Sequence, residues 1–509
     1  MYKEKIEKWG LFEWSGEGYS DGNPFRDYDI KAVIKSSDEE KCVRGFYDGD
    51  GIYKVRFMPS FEGRYEFRIE GSFSDKVSTG SFEVTAPAGN NRGPVSVCDT
   101  YHFKYADGTP YYSIGTTCYV WELQSDELIE KTFKSLEDAG FNKIRFCVFP
   151  KHYDFNLKEP RSYPYVGTPV DSSGITSENF QDYTGRTEGN DWDLYRFNPE
   201  HFRHIERCIE RLADMGIEAD IIVFHPYDRW GFSMMTGDQD IFYIDYLIRR
   251  FSAFRNVWWS MANEYDLFER KNLADWETIG SYFMKNDPYG HLRSIHNCKE
   301  FYDHGRNWIT HCSIQRQDVY RTAENTDRWR DKYKKPVVLD EISYEGDIQH
   351  GWGNIPAEEM VRRFWETAMR GGYPGHGETY YDKDDILWWS HGGELHGESW
   401  KRFKFLLRIL KETPGHGLKS DNSDWKNWDS VMAVPEDDAK FKETGYRIFY
   451  YSFMRPSFRI FDMEDNIKYR AEVIDTWNMT VTDAGVHSGR FRIDLPGRQY
   501  MAVRLVAQN

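Results

Sequence analysis

The spacing of apolar residues divides the chain into three regions, and the first has the period of β-strands. Within residues 1–95, apolar side chains alternate with polar ones, as at Tyr65, Phe67 and Ile69. A period of two predicts strands that turn one face to a core. The stretch 86–94 (APAGNNRGP) then combines proline, glycine and asparagine, which is typical of a linker. We therefore predict an N-terminal β-sandwich domain over residues 1–95.

The middle region, residues 96–413, alternates between helical and strand periods. Residues 126–139 carry apolar side chains at helical spacing, and the apolar run 141–149 follows them. The same unit recurs as a helix at 199–215 and a strand at 217–224. In all, strands are predicted at residues 111–116, 141–149, 217–224, 257–262, 292–297, 308–314, 337–340 and 372–379.

Strands that alternate with helices in this number favour a closed (β/α)8 barrel. The alternative, an open doubly wound sheet, usually brings a Gly-rich phosphate loop, which the sequence lacks. The segment 150–198 is too long for a plain connection, so we predict an active-site insertion at the catalytic rim. Period-two spacing returns in residues 414–509 and predicts a second small β-domain. The predicted fold class is α/β: a (β/α)8 TIM barrel over 96–413, flanked by N-terminal and C-terminal β-sandwich domains.

Charge and composition narrow the functional classes. The 66 basic and 83 acidic residues give a net charge of −17, with no basic block to follow a phosphate backbone, so we expect no nucleic acid partner. No run approaches the roughly 18 apolar residues of a membrane span, so we expect no membrane partner. Seven scattered cysteines and a charged start without a signal peptide predict a cytoplasmic protein. Oligomer formation is left open.

Two glutamates stand out because each ends an apolar run. Glu264 closes residues 256–264 (NVWWSMANE), and Glu341 closes residues 335–341 (KPVVLDE). A carboxylate at the end of a buried strand is costly without a partner or a task. A parallel barrel brings both strand ends to its carboxyl rim, where active sites lie. One acid and one nucleophile at that rim suit the hydrolysis of a glycosidic bond.

Strand parity predicts that both acids point into the barrel. Glu264 shares its face with Ala262, while Trp259 and Met261 point toward helices. Glu341 is expected to share an inward face with Val337 and Leu339 of the same strand. Strand position alone leaves a second interpretation open, in which the glutamates cap loops or form buried salt bridges with Arg145 or Arg316.

Four short motifs carry a resemblance to a known clan. They are FNKIR (141–145), FHP (224–226), ANE (262–264) and LDE (339–341). Their order and strand positions resemble the retaining glycosidases of clan A, the cellulase-like barrels, and the layout with a β-sandwich on either side resembles the bacterial apiosidase-like branch. The resemblance covers nearly the full chain. It implies a glycoside hydrolase that cleaves O-glycosidic bonds in oligosaccharides or glycosides with retention, has a carbohydrate as its partner and needs no cofactor.

The resemblance also implies roles for individual residues. Glu264 would be the general acid/base and Glu341 the nucleophile, with carboxyl groups about 5–5.5 Å apart, as retention requires. Arg145 would hold the nucleophile ionised, since a bidentate guanidinium suits a carboxylate. Asn263 would contact the sugar 2-hydroxyl, although its strand parity is opposite to that of Glu264, so a turn or bulge must reorient it.

Further residues at strand ends are expected to bind substrate. By resemblance, His225 and His296 line the first sugar subsite. Trp121 and Trp389 follow strands and are expected to stack on sugar, since aromatic rings offer a large apolar face. Further candidates for the same role are Trp230, Trp352 and Trp388.

Two departures from the clan pattern affect the expected substrate. The clan presents a tyrosine near the end of strand six, but residues 308–316 contain none, which leaves His311 or Gln315 as substitutes. The clan's strand-eight tryptophan is also missing, and Trp388, Trp389 or the loop 391–396 would replace it.

Two other functions compete with glycoside hydrolysis. A metal-dependent barrel hydrolase would use His225, His296, His311 and Asp340, but the first strand lacks the usual His-x-His pair. A non-catalytic carbohydrate-binding barrel would keep the fold without turnover, and the presence of both glutamates argues against it.

Overall fold

A computed structural model describes residues 1–185, 188–316, 318, 321–381, 386–422 and 429–508. Over these residues the fold is a parallel barrel with antiparallel sheets before and after it, which confirms the predicted fold class. The domain boundaries at 95/96 and 413/414 stay a prediction. Among the described residues, no helix is both long enough and apolar enough to cross a membrane.

The N-terminal part consists of two facing sheets. Its strands are β1 (Lys5–Glu7), β2 (Phe12–Glu17), β3 (Lys31–Lys35), β4 (Glu40–Arg44), β5 (Phe46–Tyr47), β6 (Ile52–Phe57), β7 (Gly63–Glu70) and β8 (Ser78–Thr85), with a short helix α1 (Pro24–Asp27). One sheet has the order β1-β8-β7-β3-β4 and the other β2-β6-β5. Phe12 from one sheet stacks on Phe82 from the other at a centroid distance of 4.1 Å. The predicted alternation places Tyr65, Phe67 and Ile69 in this shared core.

A small three-stranded sheet covers the amino end of the barrel. It consists of β9 (Val95–Cys98), β10 (His102–Tyr105) and β11 (Pro110–Tyr111). Phe103 of this sheet packs against Trp258 and Tyr373, which lie at the starts of barrel strands. The amino end of the barrel is therefore filled with apolar side chains, which leaves the carboxyl end for a site.

Eight parallel strands form the barrel. They are β12 (Gly115–Thr117), β13 (Lys143–Cys147), β16 (Glu218–Phe224), β17 (Val257–Ala262), β18 (Arg293–Ser294), β19 (Cys312–Gln315), β20 (Val337–Glu341) and β22 (Tyr373–His376). Their order is β18-β17-β16-β13-β12-β22-β20-β19, and a parallel bridge between His296 and Ser313 links the two ends. Each strand overlaps one of the eight predicted from the sequence.

Helices follow the strands and surround the barrel. They are α2 (Asp126–Ala139), α3 (Pro199–Met215), α4 (Gly237–Phe251), α5 (Leu273–Asn286), α6 (Thr326–Tyr333), α7 (Ala357–Met369), α8 (Trp388–His391) and α9 (Phe403–Lys411). Helix α3 begins and ends where the sequence predicts. At its start, the Asn198 side chain accepts a hydrogen bond from the Glu200 amide. Gly216 then ends the helix with φ at 74°, a conformation that costs glycine little.

Shorter strands shape the rim. The hairpin β14 (Tyr165–Thr168) and β15 (Asp191–Phe197) lies in the predicted insertion 150–198, and β21 (Glu345–Gly346) pairs with β23 (Glu378–Thr379) beyond the barrel.

The C-terminal part is a second β-rich unit. Its elements are β24 (Leu418–Ser420), β25 (Val431–Pro435), α10 (Asp438–Thr444), β26 (Arg447–Tyr450), β27 (Phe458–Asp462), β28 (Lys468–Asp475), β29 (Thr480–His487), β30 (Arg490–Asp494) and β31 (Met501–Gln508). Six of these strands form one sheet in the order β24-β25-β26-β31-β28-β29, and β27 pairs with β30.

Candidate active site

Glu264 and Glu341 line one pocket at the carboxyl end of the barrel. Its volume is about 160 Å³. The lining residues are Tyr119, Lys151, Tyr153, Tyr227, Glu264, Cys298, Gln315, Glu341, Tyr344, Trp352 and Trp389. The pocket therefore combines two acids, one lysine and a wall of aromatic side chains, which are the groups that a carbohydrate site uses for catalysis and for contact with a sugar ring.

One oxygen of Glu341 is held by three neighbours. Arg145 on β13 places Nη1 3.2 Å from Glu341 Oε1, and the Tyr119 hydroxyl donates a hydrogen bond to the same oxygen. His296 Nε2 lies 3.7 Å from it. Arg145 is fully buried and always charged, so a permanent positive charge lies beside this oxygen. These contacts fix the position of the Glu341 side chain, which lines the pocket.

Glu264 lies in a different environment. Burial, followed by the charge of Glu341, raises the pKa of Glu264 above its usual range. The Tyr227 hydroxyl donates a hydrogen bond to Glu264 Oε2 and moderates this rise. The two acids therefore lie in different environments: Glu341 is bonded to Arg145, and Glu264 has a raised pKa.

The backbone turns at Glu264, in line with the turn or bulge that the sequence predicted next to Asn263. Its backbone is left-handed, with φ at 49° and ψ at 56°, directly after β17 ends at Ala262. Non-glycine residues rarely adopt this conformation, and such strain concentrates at functional sites. The turn allows both Glu264 and Asn263 to reach the interior although they are adjacent in sequence. Trp259 points outward as predicted, because its ring packs on Phe283 of α5.

The predicted parity of β20 is wrong. Val337 and Leu339 pack in the large core together with helix residues, whereas Asp340 Oδ1 accepts a hydrogen bond from Lys143 Nζ at 2.7 Å. Lys143 also bonds Asp220, so this polar group joins three strands across the barrel interior. Asp340 therefore occupies the inward face. A register shift between β19 and β20, where Gln315 pairs with Glu341, accompanies the entry of Glu341 into the pocket.

The other polar candidates, Asn263, His225 and His296, are buried and lie outside the pocket lining. Asn263 Oδ1 accepts a hydrogen bond from Tyr119 at 3.3 Å, and its Nδ2 is buried with no partner in the described part of the chain. His296 is the buried histidine whose Nε2 lies 3.7 Å from Glu341 Oε1. His225 Nε2 lies 3.2 Å from the Phe149 carbonyl oxygen, and burial lowers its pKa to about 3. Neither histidine belongs to the pocket lining.

The aromatic candidates separate into two groups. Trp389 and Trp352 line the pocket and lie 5.1 Å apart, measured between ring centroids. Trp121 does not reach it: the ring is fully buried and packs on Phe133 of α2 at 5.0 Å. The expected sugar contact of Trp121 therefore has no support in its position. Trp230 and Trp388 are likewise buried outside the pocket lining.

Sequence analysis missed the tyrosines and the lysine of the pocket. Tyr119 and Tyr227 each bond one of the glutamates, and Tyr153 belongs to the insertion. Lys151, also in the insertion, holds Nζ 3.4 Å from the Tyr119 ring centroid and 4.5 Å from that of Trp389. Burial lowers the pKa of Lys151 to about 8. Tyr119 could have been predicted from its position just after a barrel strand.

The two departures from the clan pattern have structural answers. Gln315 lies in the pocket at the end of strand six, while His311 packs against Trp258 at the amino end of the barrel. A tyrosine hydroxyl does reach Glu341, but it comes from Tyr119, which follows the first barrel strand. At the other departure, Trp389 lines the pocket together with Trp352, whereas Trp388 lies outside the lining.

The four residues proposed as ligands for a metal-dependent hydrolase do not form a metal site in the described part of the chain. Among the described residues, two groups of potential metal ligands lie close together, and neither contains His225, His296, His311 or Asp340. Asp340 is engaged with Lys143 instead.

Comparison with known proteins identifies the family of the chain. Residues 98–432 match the family model described as "Apiosidase-like, catalytic domain". The flanking regions, residues 5–72 and 428–506, match two models described as domains of unknown function, DUF5060 and DUF5605. Among curated proteins, none matches the chain significantly.

Solved structures give the same result. A crystal structure from Bacteroides vulgatus ATCC 8482, provisionally assigned as a glycoside hydrolase, is 34% identical, with a TM-score of 0.89 over 99% of this chain and 100% of that one. A family 5 glycoside hydrolase from the same organism is 16% identical and shares the fold, with a TM-score of 0.59 over 82% of this chain and 93% of that one. The chain belongs to the apiosidase-like family of glycoside hydrolases.

Proposed function

We propose that this enzyme cleaves the O-glycosidic bond of oligosaccharides or glycosides with retention, by double displacement, with Glu341 as nucleophile and Glu264 as general acid/base. The observation that carries the proposal is the contrast between the two acids in one pocket. Glu341 is bonded to Arg145 and Tyr119, while burial raises the pKa of Glu264. Retaining glycosidases need this division between a permanent carboxylate and a proton donor.

In the first step, a Glu341 oxygen attacks the anomeric carbon while Glu264 gives its proton to the departing glycosidic oxygen. The bond to the leaving group breaks and a glycosyl ester on Glu341 forms. In the second step, ionised Glu264 takes a proton from water, the water oxygen attacks the anomeric carbon, and the ester bond to Glu341 breaks. Both glutamates return to their starting protonation states, and the scheme needs no cofactor.

The size of the pocket supports action on a terminal sugar. At about 160 Å³ it is smaller than the roughly 300–1,000 Å³ of sites for drug-sized ligands. Lys151 and Tyr153 from the insertion form part of its wall. We expect a single sugar unit to fill it, in keeping with exo action on small glycosides. The cytoplasmic location stays a prediction.

The leaving-group dependence of Glu264→Ala tests the assignment. For aryl glycosides with poor leaving groups, kcat/KM should fall about 10²- to 10⁴-fold, because bond cleavage then needs the proton. For glycosides of acidic phenols the loss should be much smaller, since those phenolates leave unaided. Glu269→Ala is the matched control, because Glu269 is exposed and outside the lining of this pocket. Equal losses for both substrate types would contradict the role of Glu264.

A further inference from the structure

Three fully buried side chains form a cluster behind the pocket wall that the proposed reaction does not use. They are Glu345, His376 and Glu378, called the rim cluster below. Glu345 on β21 and Glu378 on β23 are directly paired in register on adjacent parallel strands, and His376 ends barrel strand β22. One donor atom from each residue lies within 4.8 Å of the other two. None of the three lines the catalytic pocket.

The contacts of the rim cluster leave donor atoms unused. Glu345 accepts hydrogen bonds from the backbone amides of Glu398 at 2.7 Å and Ser399 at 3.0 Å and from the Tyr380 hydroxyl at 3.2 Å, so both of its oxygens are held in place. Glu378 Oε1 accepts the His396 amide, but its Oε2 has no partner among the described residues.

The histidine of the cluster has one free nitrogen. His376 Nδ1 lies 3.0 Å from Thr116 Oγ1, a hydrogen bond that orients the ring. Its Nε2 is buried and, over the part of the chain that the structure describes, has no hydrogen-bond partner. Histidines that bind a metal usually place their other ring nitrogen in such a bond, which fixes the tautomer and the direction of the free lone pair.

The charge of the cluster is also uncompensated. No lysine or arginine within the described ranges lies within 4.0 Å of either carboxylate, although both glutamates are fully buried. Another buried acid of this fold, Glu206, has a cationic partner in Arg56. Two buried carboxylates side by side are costly unless a cation or a shared proton compensates them.

We propose that the rim cluster binds one divalent transition-metal ion, for which Zn²⁺ is the probe. Two carboxylate oxygens and one imidazole nitrogen are ligands that zinc accepts at about 2.0–2.2 Å. Donor atoms within 4.8 Å of one another need only small movements to share such an ion. The ion would connect the segments after β20 and β22 to each other. Tyr344, next to Glu345, lines the pocket, so this connection stabilises the wall of the site.

Metal content of the purified protein tests the proposal independently of catalysis. Protein without a polyhistidine tag is stripped with EDTA, incubated with ZnCl₂, passed through a desalting column and measured by plasma mass spectrometry. We expect about one zinc per chain and a rise in Tm of about 2 °C or more, because an ion that binds only the folded state stabilises it. Glu378→Gln, which keeps the shape of the side chain, should lose both effects.

The second potential cluster, Cys98, Asp99 and His416, supplies the matched control. His416→Ala should keep one zinc per chain. Circular dichroism verifies that each variant folds, and Glu345→Gln replaces Glu378→Gln if the latter does not. Absence of zinc from the wild type, or equal zinc in the wild type and in a folded Glu378→Gln variant, would overturn the proposal. A Glu378→Gln variant that is more stable than zinc-treated wild type would show that a shared proton compensates the cluster instead.

Discussion

Replacing Tyr227 by phenylalanine tests how the pocket sets the proton affinity of Glu264. The Tyr227 hydroxyl donates a hydrogen bond to Glu264, and this bond favours the ionised carboxylate. Burial and the charge of Glu341 both raise the pKa of Glu264, and the Tyr227 hydrogen bond lowers it. Without that bond, the pKa of Glu264 should rise further. If protonated Glu264 is the catalytic acid, activity is present below this pKa and is lost as the pH rises through it. The alkaline limb of the pH profile should therefore move to higher pH.

The expected size of the shift follows from the type of bond. A hydrogen bond to a charged group contributes about 1.5–3 kcal/mol. One pKa unit corresponds to about 1.36 kcal/mol, so complete loss of the bond gives a shift of about 1–2 pH units. Glu264 is buried and Tyr227 is partly buried, so bulk water has limited access to replace the hydroxyl.

The assay is kcat/KM as a function of pH, which reports on groups of the free enzyme. Tyr153→Phe is the control, because Tyr153 lines the same pocket and, over the described residues, makes no hydrogen bond to either glutamate. We expect its alkaline limb to coincide with that of the wild type. An alkaline limb that stays in place or moves to lower pH in Tyr227→Phe would refute the reasoning.

Two further predictions concern residues outside this hydrogen bond. Burial raises the pKa of Glu122 well above its usual range. The neutral side chain therefore contributes stability that is fully present below the unfolded-state pKa of about 4.3 and decreases as the pH rises above it. The free energy of unfolding of Glu122→Gln, relative to that of the wild type, should therefore increase by about 1.4 kcal/mol per pH unit between pH 5 and 7. Urea unfolding measures this difference, and a pH-independent difference would contradict the prediction. Trp389→Ala should lower kcat/KM about 2- to 10-fold with little change in stability, because its ring lines the pocket. Trp121→Ala should lower the free energy of unfolding by about 3–5 kcal/mol, because its ring lies in the core. Kinetics and urea unfolding of both variants test this, and the opposite pattern would contradict the placement of the two rings.

The barrel was predictable because its signals are local. Helix caps such as Asn198 and stops such as Gly216 act within one turn, and each apolar run of a barrel strand is buried. Glu264 and Glu341 were found for the same reason, since a charged residue that ends an apolar run is conspicuous in sequence.

The failures have a common cause, which is that side-chain direction depends on contacts between distant segments. The face of β20 was wrong because a register shift against β19 changes the parity before Glu341. Trp121 and Trp389 look alike in sequence, and only packing on Phe133 separates the core ring from the pocket ring. Tyr119 went unnoticed because its hydroxyl meets Glu341 across 222 residues of chain.

Trapping of the glycosyl-enzyme intermediate tests the central claim most directly. The enzyme is incubated with a library of activated 2-deoxy-2-fluoro glycosides, digested, and mapped by tandem mass spectrometry. A fluoro-sugar whose ester accumulates should add its mass to Glu341, and the label should be absent from Glu341→Ala. A label on Glu264 or on any other residue would contradict the assignment of Glu341 as the nucleophile.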